Sequence, residues 1–286
     1  MNTAQIAKPI SGDKLYQQRA RRAFPILVRQ AFAHQPIYYS DLADELNMPN
    51  PRNLNYVLGS VGSTVQRLSK EWGEEIPPIS CLVINKTTGL PGEGVGWFID
   101  DKNAFAKLPL KQKRAIVGIE LQKIFAYPRW LDVLRSVGLK YEPAKDYSPL
   151  AKKVQQRRGK GESEHHKRFK EYVSLNPQVL KLPKRVAPGE TEYSLPSGDI
   201  VDVLFKDKVD WTAAEVKSKI SDTTDIYRGL YQCVKYRAVI EAYQSELGHL
   251  PSCRAVLVVE SEFPEELTEL KNVLGIEVVD GVSMER

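Results

Sequence analysis

The sequence predicts an α/β fold, with a mixed central sheet in its second half and a mainly helical unit in its first. Three observations carry this. From Glu192 onward, short β-prone apolar runs alternate with stretches of helical period. From Asp13 to Trp72, apolar residues recur at helical spacing. Between them, from Glu142 to Glu162, the chain turns polar and basic around Pro143 and Pro149, as a connecting segment does. The expected organisation is residues 1–141 as one domain, 142–162 as a basic linker and 163–286 as a second domain.

In the first domain, Asp13–Ala33 reads as a helix entered or interrupted at Pro25, with Phe24, Leu27, Val28 and Phe32 on one side. Ile37–Tyr39 is a short extended piece, and Ser40 suits the N-cap of the helix that follows. Arg52–Trp72 is a longer amphipathic helix. Pro77-Pro78 precedes a strand at Ile79–Ile84, residues 86–92 form a turn, and a helix over Leu110–Val137 closes the region. A short helix, a longer one, a strand and a Gly-rich turn together suggest a winged-helix-like module of the kind that contacts DNA.

The second domain reads as a helix over Ser163–Leu175, strands at Glu192–Leu195, Ile200–Phe205 and Trp211–Lys217, and a helix over Asp225–Gln244. A strand at Ala255–Val259, a helix at Glu265–Leu274 and a strand at Ile276–Val279 follow, so the final strands should lie parallel.

With 286 residues and 42% hydrophobic content, the chain can bury a substantial core. No run approaches the ~20 apolar residues of a membrane span, so a cytoplasmic chain without a membrane partner is expected. Cys81, Cys233 and Cys253 have neither paired nor CxxC spacing, which points to reduced thiols and away from a disulfide framework or structural zinc. The net charge of +5 is compatible with a polyanionic partner.

The chemistry lies in Gly198-Asp199-Ile200-Val201-Asp202-Val203 followed by Ala214-Glu215-Val216-Lys217. Glu215 and Lys217, two apart on a strand, project from the same face, and charges there are costly unless they meet partners or a solvent cleft. With Asp202 beside them, two carboxylates and an ammonium converge. Hard carboxylate oxygens suit Mg²⁺, and an adjacent lysine can orient or deprotonate an attacking water, a combination that fits phosphodiester hydrolysis. Asp199 competes with Asp202, although it sits in the Pro196-Ser197-Gly198 turn, where capping is the simpler role.

This ordered set resembles the active site of the PD-(D/E)XK, or restriction-endonuclease-like, superfamily, with an Asp on the second core strand and Glu-x-Lys on the third. Gln232 and Tyr236 resemble the QxxxY helix motif of some of its branches, and Glu164, with Glu162 as competitor, matches an acidic residue on the first core helix. No proline directly precedes the Asp, a departure from the pattern. The resemblance implies an αβββαβ core and Mg²⁺, replaceable by Mn²⁺, held by Asp202 and Glu215. It further implies assistance by Lys217, a contribution from Glu164, and positioning by Gln232 and Tyr236.

DNA would be the substrate, in bacterial or phage defence, restriction or DNA processing, with a homodimer or defence-system proteins as partners. Lys153, Arg157, Arg158, Lys219 and Arg228 are expected along the nucleic-acid path, with an ordinary solvated surface as the alternative for each. The alternative function is a nuclease-fold protein that binds DNA or assembles without turnover.

Overall fold

Apolar residues at three- and four-residue spacing organise the first half of the chain around a helical seam. A computed structural model describes residues 7–92, 102–156, 163–208 and 210–284, and the chain divides into residues 1–144 and 145–286. It is mixed α/β, as expected from the pattern.

The first unit runs α1 (Leu15–Phe32), β1 (Ile37–Tyr38), α2 (Tyr39–Glu45), α3 (Leu54–Trp72), β2 (Val83–Ile84), α4 (Lys102–Lys107), α5 (Leu110–Ala126) and α6 (Trp130–Ser136). Ala20, Phe24, Leu27 and Ala31 of α1 share one buried cluster with Val57, Val61, Val65 and Leu68 of α3. Helix α1 passes through Pro25 without a break, because buried neighbours on both sides outweigh the one backbone hydrogen bond that proline removes.

Three other local expectations give way to the fold. Ser40 is not the N-cap: Tyr38 occupies that position, and the Ser40 hydroxyl reaches Asp41 instead. The strand expected at Ile79–Ile84 is mostly a 3₁₀ turn, Ile79–Leu82, closed by a bond from the Cys81 N–H to the Pro78 carbonyl, and only Val83 and Ile84 pair, parallel to β1. The single helix expected over Leu110–Val137 is two, since the chain turns extended at Tyr127, as a residue before proline prefers.

The second unit consists of α7 (Ser148–Gln156), α8 (Glu164–Leu175), β3 (Glu190–Ser194), β4 (Ile200–Asp207), β5 (Asp210–Lys217), α9 (Thr223–Glu246), β6 (Cys253–Val259), α10 (Thr268–Leu274) and β7 (Glu277–Val279). Its five strands follow the order β3-β4-β5-β6-β7, with β3, β4 and β5 antiparallel neighbours in turn and β5, β6 and β7 parallel. Side-chain alternation sends Val203, Phe205, Ala214, Val216, Val256 and Val258 toward Phe169 and Val173 of α8. Leu257 and Val259 instead pack with Ile226, Leu230 and Cys233 of α9. Ser163 caps α8 by accepting from the His166 N–H, and Asp222 caps α9.

The segment read as a linker is not one throughout. Residues 148–156 form α7, and Leu150, Ala151 and Val154, with Tyr147 just before it, pack against the α9–β6 cluster. Lysines at 152 and 153 concealed from composition the apolar stripe at the flanking positions.

A fragment of residues 145–286 is therefore expected to fold cooperatively. A fragment beginning at residue 157 lacks four half-buried apolar side chains, worth about 3 kcal/mol by transfer arithmetic. Chemical denaturation of the two fragments checks this, and equal stability would show that α7 contributes no packing.

Candidate active site

Regular pairing between β4 and β5 extends from Asp207↔Asp210 to Val203↔Ala214 and stops there. Beyond that point the alternation of β4 breaks: Val201 and Leu204, three apart, join one cluster with Ala213, Tyr236 and Ile240. On the adjacent β3, Glu192 adopts a left-handed φ of 53°. Irregularities of this kind re-aim a side chain at the cost of a ladder bond. Here the Asp202 carboxylate turns toward β5 and accepts the Val216 N–H at 2.8 Å, replacing a backbone partner with a side chain.

Glu215 lies on the α9 face of β5 and is only 2% exposed. Its Oε1 meets Lys217 Nζ at 2.5 Å, and its Oε2 lies 2.9 Å from the Tyr236 hydroxyl. That hydroxyl is also 2.8 Å from the Ile200 carbonyl, which can only accept. Tyr236 has one proton for two acceptors. Both contacts are satisfied when Glu215 itself is protonated, and the electrostatics agree: burial, reinforced by the Asp202 charge, pushes Glu215 up to about 7, against the opposing pull of Lys217 and Tyr236. Burial works to lower Lys217, but the neighbouring Glu215 outweighs it and holds the ammonium above its ordinary value. Burial, followed by the Glu215 charge, also raises the Tyr236 phenol.

Helix α9 closes over this group by means of Gly229. A Cβ there would meet Leu257 Cδ1 at 2.8 Å and Lys217 Cε at 3.0 Å, so the helix approaches the strand closely only because position 229 lacks a side chain. Glycine inside a helix costs about 1 kcal/mol relative to alanine, and the close approach is its physical return. Nothing in the sequence pattern marked this residue except its place between Arg228 and Gln232. Gln232 donates from Nε2 to the Tyr236 hydroxyl at 3.4 Å, while its own carbonyl oxygen is buried without a partner.

No protein-family model, curated protein or solved structure matches this chain. What the site can do rests on its geometry.

The structure brings together Asp202, Glu215, Lys217, Gln232 and Tyr236. Arg228 is exposed on the adjoining turn of α9, and its charge is felt at Lys217. Asp199 is engaged elsewhere, by Lys235 at 2.6 Å and Ser197 at 2.7 Å, and these partners hold its carboxyl below the ordinary range. Glu164 is exposed in the first turn of α8 and does not join the pair: among the described residues no group of three or more His, Cys, Asp or Glu is placed to hold a metal. Its neighbour His165 bonds Glu260 at 2.7 Å, and the same carboxylate accepts the Lys219 N–H at 2.8 Å. Glu260, which sequence reasoning passed over, thus ties α8 to the chain leaving β5. Lys219 and Lys153 are exposed. Glu162, Arg157 and Arg158 lie outside the described residues.

The donor set fits a divalent cation. Asp202 and Glu215 present two carboxyl groups, with the Lys217 ammonium already beside one of them, and Mg²⁺ commonly takes one or two carboxylates and fills its remaining positions with water or phosphate oxygens. The unpartnered carbonyl oxygen of Gln232 offers such water an acceptor.

Gly229→Ala should press on the buried Leu257 as well as on Lys217 and cost about 1–3 kcal/mol of stability, as overpacking does. Chemical denaturation of the variant beside the parent checks it. A pH dependence is expected as well. Glu215 binds its proton more tightly when folded than unfolded, so it favours the folded state at low pH, and that contribution fades as pH rises from about 4.5 toward about 7. Denaturation in chelator should show the chain losing stability across this window and Glu215→Gln losing less. Parallel pH profiles would place the titration elsewhere.

Proposed function

We propose that the second unit is a divalent-metal-dependent nuclease that hydrolyses phosphodiester bonds in DNA, with a core of the PD-(D/E)XK type. One observation carries the reading: a Glu-x-Lys pair on β5, its glutamate buried and its lysine half-buried, flanked by the Asp202 carboxylate and held by a tyrosine and a glutamine from one helix. The helix, three strands, helix and strand in that order support it as well.

Asp202 and Glu215 would hold the cation, which when bound supplies positive charge to offset that developing on the phosphate. Tyr236 fixes the Glu215 carboxylate by direct contact, and Gln232 fixes Tyr236. Lys217 shares the face of Glu215 and stands where its ammonium can orient a water for attack and offset charge developing on the phosphate. Arg228 and Lys219, both exposed, supply charge for flanking phosphates. The first unit, with its short helix, longer helix and turn, serves as a winged-helix-like targeting module.

Supercoiled, linear, single-stranded and branched DNA incubated with Mg²⁺, Mn²⁺ or chelator tests the proposal. Cleavage should require the metal. Asp202→Asn and Glu215→Gln should each reduce it at least about a hundredfold, comparable to losing one preorganised electrostatic group, while DNA binding in chelator persists. Asp199→Asn should remain active, since that aspartate is paired with Lys235. DNA bound but never cut, under any metal, would make the chain a nuclease-fold binding protein instead.

A further inference from the structure

Charge is segregated between the two units. Residues 1–144 contain 19 Lys and Arg against 13 Asp and Glu, whereas residues 145–286 contain 22 against 23, so the first unit carries the whole positive excess. Within it, α1 holds Arg19, Arg21, Arg22 and Arg29 and no acid. Arg29 pairs with Glu45 at 2.7 Å, both side chains being nearly buried, and Arg21 reaches the Ile10 and Gly12 carbonyls. Those two arginines are structural. Arg19 and Arg22, three apart and so on one face, have no acidic partner among the described residues.

The same face continues onto the start of α3. Tyr16 of α1 and Tyr56 of α3 meet with ring centroids 5.9 Å apart. Arg19 follows Tyr16 by three residues and Arg52 precedes Tyr56 by four, so both arginines border that contact. Arg52 is exposed and has no acidic partner among the described residues, and Tyr56 is 42% exposed. Asn50 caps the 3₁₀ turn Pro51–Asn53 that runs into α3 by accepting the Arg52 N–H, which leaves the exposed Asn53 side chain without a capping bond.

We propose that Arg19, Arg22, Arg52, Asn53 and Tyr56 form a docking surface for duplex DNA, with the arginines against phosphates and Asn53 and Tyr56 facing a groove. Guanidinium groups without acids beside them release counterions when they meet a phosphate backbone, and that release supplies affinity independent of sequence. An unused amide and an exposed phenol at the start of a helix provide groups for base edges, and the major groove is wide enough to admit an α-helix. The 3₁₀ turn Pro51–Asn53 leads into α3 and exposes Arg52 and Asn53 just before it, and a second helix enters a groove by residues at its start. A duplex is favoured over a single strand because this surface offers fork-shaped phosphate donors and a helix end, with only one well-exposed ring for stacking. The proposal stands on charge and exposure in the first unit and does not depend on the catalytic reading of the second.

Fluorescence anisotropy of a short labelled duplex, titrated with the full chain in chelator over a series of salt concentrations, tests it. Arg19→Ala/Arg22→Ala/Arg52→Ala should bind at least about tenfold more weakly, with a log-affinity against log-salt slope shallower by about 2 to 3, from about 0.9 for each phosphate that is no longer neutralised. Lys107→Ala/Lys111→Ala/Lys140→Ala removes equal charge from other exposed positions of the same unit and should leave affinity and slope almost unchanged. Tyr56→Phe, which keeps the ring that meets Tyr16 and removes only the hydroxyl, should weaken binding, and thermal melting of this variant should match the parent because the packing is kept.

Unaltered binding by the arginine variant overturns the proposal. Equal weakening in the lysine variant overturns it too, reducing the effect to net charge. Competition by single-stranded DNA or RNA as effective as by the duplex overturns the assignment of a duplex. With cleavage silenced by chelator, failure here leaves the nuclease reading standing, and failure of that reading leaves this one standing.

Discussion

Glu215 occupies the middle strand of a five-stranded sheet, among alanines and valines, where a carboxylate has no water to solvate it. Its neighbourhood is arranged around that cost. Lys217 meets one oxygen and Tyr236 the other, Gln232 supports Tyr236, and Gly229 removes the side chain that would keep α9 from covering them. Burying ionisable groups in this way adds little to stability, since apolar residues of similar volume would serve as well or better. Such clusters concentrate at functional sites, where the shifted affinity for a proton or cation is what is useful.

The backbone is also bent to serve this strand. A fully regular β4 would pair with β5 along its whole length and leave Asp202 to alternation; the break in periodicity instead turns its carboxylate to the Val216 N–H, beside Glu215. A side-chain bond takes the place of the missing ladder bond, so no backbone donor is stranded there. Both acids are thereby held by bonds within the protein, Asp202 to the Val216 N–H and Glu215 to Lys217 and Tyr236.

Charge follows a different logic in the two units. The second is nearly neutral, with many of its charges committed to local pairs such as Arg254 with Glu277 and Lys235 with Asp199. The first carries the excess, partly on arginines that have no acidic partner among the described residues. The positive excess and the buried ionisable cluster are thus separated along the chain.

Periodicity and residue type by themselves determined the α/β class, the elements from Glu164 to Val279 to within a few residues, and the placing of Glu215 and Lys217 on one face of a strand and of Gln232 and Tyr236 on one face of a helix. Alternation on a strand and the i, i+4 repeat on a helix are local rules, and these residues obey them. What required the tertiary structure was everything decided by contact between distant segments. Asp199 and Asp202 are three residues apart and equally acidic, and only the approach of Lys235 to one and of β5 to the other distinguishes them. Glu164 has the right type and position in the chain, but where it stands relative to the two acids depends on how α8 crosses the sheet. Gly229 and Glu260 carry no local signal, because a close approach and a three-element tie exist only after folding. The helix at Ser148–Gln156 was hidden for the opposite reason: its lysines dominate the composition, while its few apolar residues gain meaning only from the α9–β6 surface they cover.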